Sequence, residues 1–135
     1  MWRAFLVILS AVFMAPSIGS AVDLKVIDKN CWIEIFDDDE FDEDDPHVKV
    51  QGPAEYSTLK DVYGRNWNND IESVIVGSNA TVHAWMNKDY TGPEITFTPG
   101  QRVPKLSKLS MSNTIESMKI TCGPYSTGRR RDVKQ

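Results

Sequence analysis

From Cys31 onward the apolar residues fall at every second position, in short runs broken by turn formers. Ile33 and Ile35 alternate with Trp32, Glu34 and Phe36, and Val82 and Ala84 alternate with Thr81, His83 and Trp85. A period of two sends one set of side chains to a core and the other toward solvent, so these runs predict half-buried strands. Val74 and Val76 flank Ile75, and Met118 and Ile120 flank Lys119, whose charge marks the solvent face. Beyond the first 21 residues there is no helical period. Gly52-Pro53, Gly77-Ser78-Asn79, Gly92-Pro93, Pro99-Gly100 and Gly123-Pro124 punctuate the runs. Many short strands separated in this way predict an all-β sandwich or barrel.

The pattern is duplicated. Asn68-Asn69-Asp70-Ile71-Glu72-Ser73 returns as Ser112-Asn113-Thr114-Ile115-Glu116-Ser117, and each copy runs directly into a strand. One supersecondary unit used twice implies that its chemistry occurs as a pair. The copies align without outside reference: Phe36 and Phe41 stand five apart, as do Trp85 and Tyr90, while Leu59 answers Leu106 and Ile71 answers Ile115. Phe36 to Ile71 spans 35 positions and Trp85 to Ile115 spans 30, so the first unit has about five extra residues, which fit around Glu43 to His47.

The ends of the chain differ from this middle. Met1 to Ala21 has one basic residue, Arg3, an apolar run from Ala4 to Met14, and the small residues Gly19-Ser20-Ala21, the anatomy of a secretory leader. The run is too short to span a bilayer. Removing it leaves 14 basic and 19 acidic residues, a balance that argues against nucleic acid, and leaves no membrane-binding segment. The organisation expected is a leader over 1–21, a lead over 22–30, one domain over 31–122 (first unit about 31–77, second about 81–122) and a disordered basic tail over 123–135. In a secreted or periplasmic chain the two cysteines, Cys31 and Cys122, are expected to form a disulfide rather than two buried thiols.

The duplicated units resemble the Greek-key motifs of the βγ-crystallin superfamily. The second copy carries the fuller match: Trp85, Tyr90 and Gly92 fit that family's spacing of aromatic, four residues, aromatic, any residue and glycine, followed later by Ile115-Glu116-Ser117. The first copy has Phe36 and Phe41 but Glu43 at the glycine position. The resemblance implies a β-sandwich of two four-stranded Greek keys, in which each hairpin folds over its aromatic pair and the later serine ties it down. It also implies calcium, because many family members bind one ion per motif through a segment written N/D-N/D-X-X-S/T-S. Carried over by position, the first site uses Asn69 and Glu72, completed by the Met86 carbonyl. The second uses Asn113 and Glu116, completed by Asp37. Calcium takes six to eight oxygens, and such a segment supplies carbonyls and side-chain oxygens. Glutamate replaces serine or threonine at the fifth position of both copies; being longer and charged, it ligates, points to solvent or blocks the pocket.

Asp37 to Asp45 holds eight acids in nine positions, without the central glycine and final glutamate of an EF-hand. It reads as a solvated loop that collects cations diffusely, with a basic partner as another reading. No nucleophile elbow surrounds any serine, and neither cysteine has a metal-ligand neighbour, so no enzyme is expected. His47 and His83 carry no catalytic signature. Asn79-Ala80-Thr81 fits an N-glycosylation acceptor. Trp32, Trp67 and Trp85 are expected to pack rather than to line a ligand surface. The function expected is a secreted, non-enzymatic, calcium-binding structural domain, the alternative being a secreted toxin or enzyme inhibitor on the same sandwich.

Overall fold

The structure, a computed structural model, describes residues 27–124 and the single residue Val12. The expected leader apart from Val12, most of the lead and the tail beyond Pro124 lie outside the described residues. Eight strands follow in order: β1 Trp32–Phe36, β2 His47–Gln51, β3 Ala54–Tyr56, β4 Ser73–Val76, β5 Ala80–Asn87, β6 Thr91–Phe97, β7 Arg102–Val103 and β8 Ser117–Cys122. Single 3₁₀ turns occur at Asp39–Phe41 and Leu106–Leu109.

The strands form two antiparallel sheets, ordered β2-β1-β4-β7 and β3-β8-β5-β6. The third strand of each unit leaves its own sheet for the other. β3 pairs with β8 (Ala54 with Ile120, Tyr56 with Met118), and β7 pairs with β4 (Val74 with Val103). Each sheet therefore holds three strands of one unit and one of the other. This is the two-unit Greek-key sandwich that the family resemblance implies, and it resolves the sandwich-or-barrel expectation of the strand pattern to a sandwich.

Alternation sets the core. Ile33, Ile35, Val50, Val74 and Val76 face inward from one sheet, and Val82, Ala84, Phe97, Met118 and Ile120 from the other, all buried. Connecting segments add Leu59, Trp67 and Ile71 from the first unit and Leu106, Met111 and Ile115 from the second. Trp67 is fully buried and Trp85 packs edge-on against Tyr90, in keeping with the packing role expected of them. Phe36 has outward parity but is 1 % exposed, because its own hairpin folds back over it.

Cys31 and Cys122 are joined, their Cα atoms 5.5 Å apart, linking the segment before β1 in one sheet to the end of β8 in the other. Gly52 lies against this link. A Cβ there would come 2.5 Å from an Ile120 methyl carbon and 2.7 Å from the Cys31 sulfur. The bond closes a separation of 91 residues, for which the chain-entropy relation gives about 4 to 5 kcal/mol. Replacing both cysteines by serine should lower unfolding free energy in urea by a figure of that order, and Gly52→Ala by about 1 to 3 kcal/mol through overpacking. Unchanged urea midpoints would show that the link and its packing contribute nothing.

Candidate functional site

In both units the first hairpin folds over an aromatic pair. Phe36 and Phe41 meet edge-on with centroids 5.7 Å apart, and Trp85 and Tyr90 do so at 5.3 Å. The fold-over needs left-handed backbone, at Glu40 and Phe41 (φ 60° and 58°) and at Asp89 and Tyr90 (φ 57° and 59°). This is sparsely populated for residues with a Cβ, so something must hold it. A buried serine does. Ser73 Oγ donates to the Asp38 carbonyl at 2.6 Å and accepts from the Phe41 N–H at 3.2 Å. Ser117 Oγ donates to the Asn87 carbonyl at 2.6 Å and accepts from the Tyr90 N–H at 3.1 Å.

The glycine position differs between the copies for a geometric reason. Gly92 has φ +82°, and a Cβ there would strike the Asn87 amide. Glu43 is not among the positive-φ residues. The extra residues carry the first hairpin through a wider bend, closed by the Asp37 N–H on the Pro46 carbonyl at 3.0 Å, before β2 begins at His47.

The two echo segments cross each other. Asn69 and Asn113 have φ of 60° and 53°, and this turn carries each onto the opposite unit. The Asn69 N–H donates to the Ile115 carbonyl at 3.1 Å and the Asn113 N–H to the Ile71 carbonyl at 3.0 Å. Their side chains follow. Asn69 Nδ2 lies 3.1 Å from Glu116 Oε1, and Asn113 Nδ2 lies 2.6 Å from Glu72 Oε1. Glu116 Oε2 also accepts from the Lys88 N–H at 3.2 Å. The expected grouping set Asn69 with Glu72 and Asn113 with Glu116. The side-chain contacts exchange the glutamates, because the asparagine turn crosses the interface while the glutamate N–H is already bonded to its own hairpin, at the Phe36 or Trp85 carbonyl.

The two remaining predicted ligands have other neighbours. Met86 sits in a bulge of the β5–β6 pairing and lines an open, mostly apolar surface hollow of about 470 Å³ with Ile95, Leu109 and Met111, Glu94 and Ser110 forming part of its wall. The Asp37 carboxylate accepts from Arg65 Nη2 at 3.1 Å. The same guanidinium lies 3.7 Å from Asp70 and 4.1 Å over the Trp67 ring. Sequence reasoning missed Arg65, since nothing in its neighbours ties it to an acid 28 positions away. The Asn69–Glu116 contact suits a hard cation chemically: it joins a carboxylate to an amide whose oxygen replaces its nitrogen on rotation. The Asp37 side already holds a cationic group.

In the acidic run, carboxylate oxygens of Asp38, Asp42 and Asp45 lie within 4.8 Å of one another. Asp38 Oδ1 and Asp42 Oδ1 accept backbone N–H groups of Asp39 and Asp44, so the run is a structured loop on the surface. The Asp45 carboxyl is held above its ordinary range by desolvation, a hydrogen bond to Asp38 and repulsion from Asp38, Asp42 and Asp37. The side chain is exposed, so neighbouring charge explains the shift better than burial does.

The histidines lie on outer faces, His47 Nδ1 at 3.1 Å from Glu34 and His83 Nδ1 at 3.0 Å from Glu94. Asn79, half-buried in the β4–β5 turn, donates to Asp28 at 2.5 Å. Among the described residues no helix is long and apolar enough to cross a membrane.

Two Greek keys with exchanged third strands, serine-tied aromatic hairpins and crossed Asn-X-Ile-Glu-Ser segments define a crystallin-type domain. The family model described as Beta/Gamma crystallin matches residues 29–119, and the chain belongs to that family. A solved structure from work on the evolution of the eye lens βγ-crystallin domain fold shares 19% identity at a TM-score of 0.62, covering 75% of this chain and 95% of its own. A βγ-crystallin from Ciona intestinalis shares 24% at 0.55, covering 67% and 99%. The N-terminal domain of protein S shares 22% at 0.56, covering 70% and 99%. No curated protein sequence matches the chain.

Ser73→Ala and Ser117→Ala should each cost about 1 to 3 kcal/mol in urea unfolding, because each strands a buried donor or acceptor. A loss under about 0.5 kcal/mol in both would remove the clasp from the account of the fold. A raised aspartate pKa means that the fold favours the neutral acid, so Asp45 contributes less to stability as pH rises through its titration. Calcium, by neutralising Asp38 and Asp42, should move the Asp45 carboxyl titration followed by NMR back downward; an unmoved curve at millimolar calcium would show that the cluster takes no ion.

Proposed function

We propose that the protein is a secreted, non-enzymatic βγ-crystallin domain that binds calcium weakly where its two echo segments cross. The observation carrying this reading is the reciprocal pair of contacts, Asn69 to Glu116 and Asn113 to Glu72. Without an ion, each carboxylate is satisfied by an amide N–H across the interface. Rotating the Asn69 amide turns its oxygen toward the space beside Glu116, and a calcium ion then meets oxygens from two loops of two units.

The exchange also explains why the binding is weak. A charge-assisted hydrogen bond, worth about 1.5 to 3 kcal/mol, must be given up before the ion gains its ligands. A dissociation constant on the order of 10⁻⁴ M suits an extracellular module in millimolar calcium. Binding to the native state alone then raises stability by mass action, by about 1.4 kcal/mol at ten times the dissociation constant. The Cys31–Cys122 link and the secretory leader support an oxidising, calcium-rich compartment.

Chelator-treated protein titrated with calcium should show a melting temperature that climbs through the millimolar range. Glu116→Gln should remove that rise while lowering the calcium-free melting temperature only modestly, since the single glutamine oxygen keeps the Asn69 amide or the Lys88 N–H but not both. A flat titration of the wild-type protein would end the calcium reading.

A further inference from the structure

The two units treat one equivalent place in opposite ways. In the first, Asp37 follows the leading aromatic, Arg65 stands two residues before the buried Trp67, and Asp70 lies between Asn69 and Ile71. Counted the same way, the second unit has Met86, Leu109 and Thr114. These sets are clustered alike in space: Arg65 touches Asp37 and stacks on Trp67, while Leu109 lines the surface hollow with Met86 and Met111. Two acids and a base in one copy are thus all neutral in the other. A surface ion pair on its own is worth little. Here, however, the cation is absent from the copy that lacks the acids, and it is fixed by a stacked aromatic as well as by charge.

The location gives Arg65 more than a local role. Phe36 pairs in register with Ser73, so the next residue, Asp37, stands opposite Glu72, whose carboxylate holds the Asn113 amide. Carboxylates of Asp37 and Asp70 both approach the guanidinium, at 3.1 and 3.7 Å. One of its nitrogens, Nη1, is buried without a hydrogen-bond partner, so charge and stacking hold the group rather than complete hydrogen bonding.

We propose that Arg65 is a tethered cation that takes the place of a bound ion on the Asp37–Glu72 side of the crossed segments, leaving the Asn69–Glu116 side open to calcium. This inference rests on the calcium reading above and makes the two sites unequal. A divalent ion beside Asp37 meets the guanidinium's positive charge at close range, whereas in the second unit the places of Asp37 and Arg65 are taken by the neutral Met86 and Leu109, and Glu116 is met by the Asn69 amide and the backbone N–H of Lys88.

Isothermal titration with calcium chloride, together with melting in chelator, tests this on the wild-type chain and on Arg65→Met, which keeps an apolar stem over Trp67. The wild type should bind one ion. R65M should bind two, melt lower than the wild type in chelator, and recover on adding calcium. Arg65→Lys, which keeps the charge, should still bind one, and it carries the test together with Asp37→Asn if R65M fails to fold; D37N, which removes the anchor, should then loosen the guanidinium and weaken the chelator-state fold. Equal stoichiometry and affinity in wild type and R65M overturn the role of Arg65, and if both bind two ions the calcium reading stands without it. A wild type that binds none while R65M binds one upholds Arg65 and ends calcium binding for the native chain. Binding by neither ends both.

Discussion

β3 leaves its own unit to pair with β8, and β7 does the reverse to pair with β4, so each sheet lacks its fourth strand until the other unit is present. Everything else follows from that exchange. It makes the domain one cooperative body, because an isolated unit would expose both an unpaired strand edge and the apolar face of a three-stranded sheet. It also brings the segments that precede β4 and β8 against each other. Their backbone bonds, Asn69 to Ile115 and Asn113 to Ile71, close the interface, and the buried isoleucines between asparagine and glutamate fill it.

On this frame the serines perform a second task. Strand exchange fixes where the hairpins start, but their left-handed corners at Glu40-Phe41 and Asp89-Tyr90 carry conformational cost. Each fully buried hydroxyl meets a carbonyl and an N–H across that corner, so the chain cannot unbend without leaving both unpaired. The same clasp positions the glutamate one residue earlier. Its N–H is bonded to the leading aromatic's carbonyl, and its carboxylate is presented to the opposite unit. The hairpin clasp and the ligands of the proposed calcium site therefore share one six-residue segment.

The pseudo-symmetry is strict in the backbone and loose in charge. Leu59 bonds the Glu116 carbonyl and Leu106 the Glu72 carbonyl, both at 2.9 Å, yet the side chains around these bonds diverge between Asp37 with Arg65 and Met86 with Leu109. Backbone bonds must repeat for the sheets to close. Surface charges are free to differ, and that is where the two copies of this chain acquire different properties.

Much of the fold was legible in the residues. Alternation at Ile33-Ile35, Val74-Val76 and Met118-Ile120 states which face is buried, because a strand's side-chain period is two whatever it pairs with. The echo states that a unit is duplicated, and Cys31 and Cys122 state the covalent link. The pairing of the candidate ligands was not legible. Spacing along the chain puts Glu72 nearest Asn69, whereas a left-handed turn at Asn69 hands its amide to Glu116, 47 positions away. Arg65 meeting Asp37, and the apolar hollow where Leu109 replaces it, were likewise settled by which loops the exchanged strands bring together. Local pattern fixes elements and faces because it depends on neighbours in sequence; side-chain partners depend on neighbours in space, and only the closed sandwich creates those.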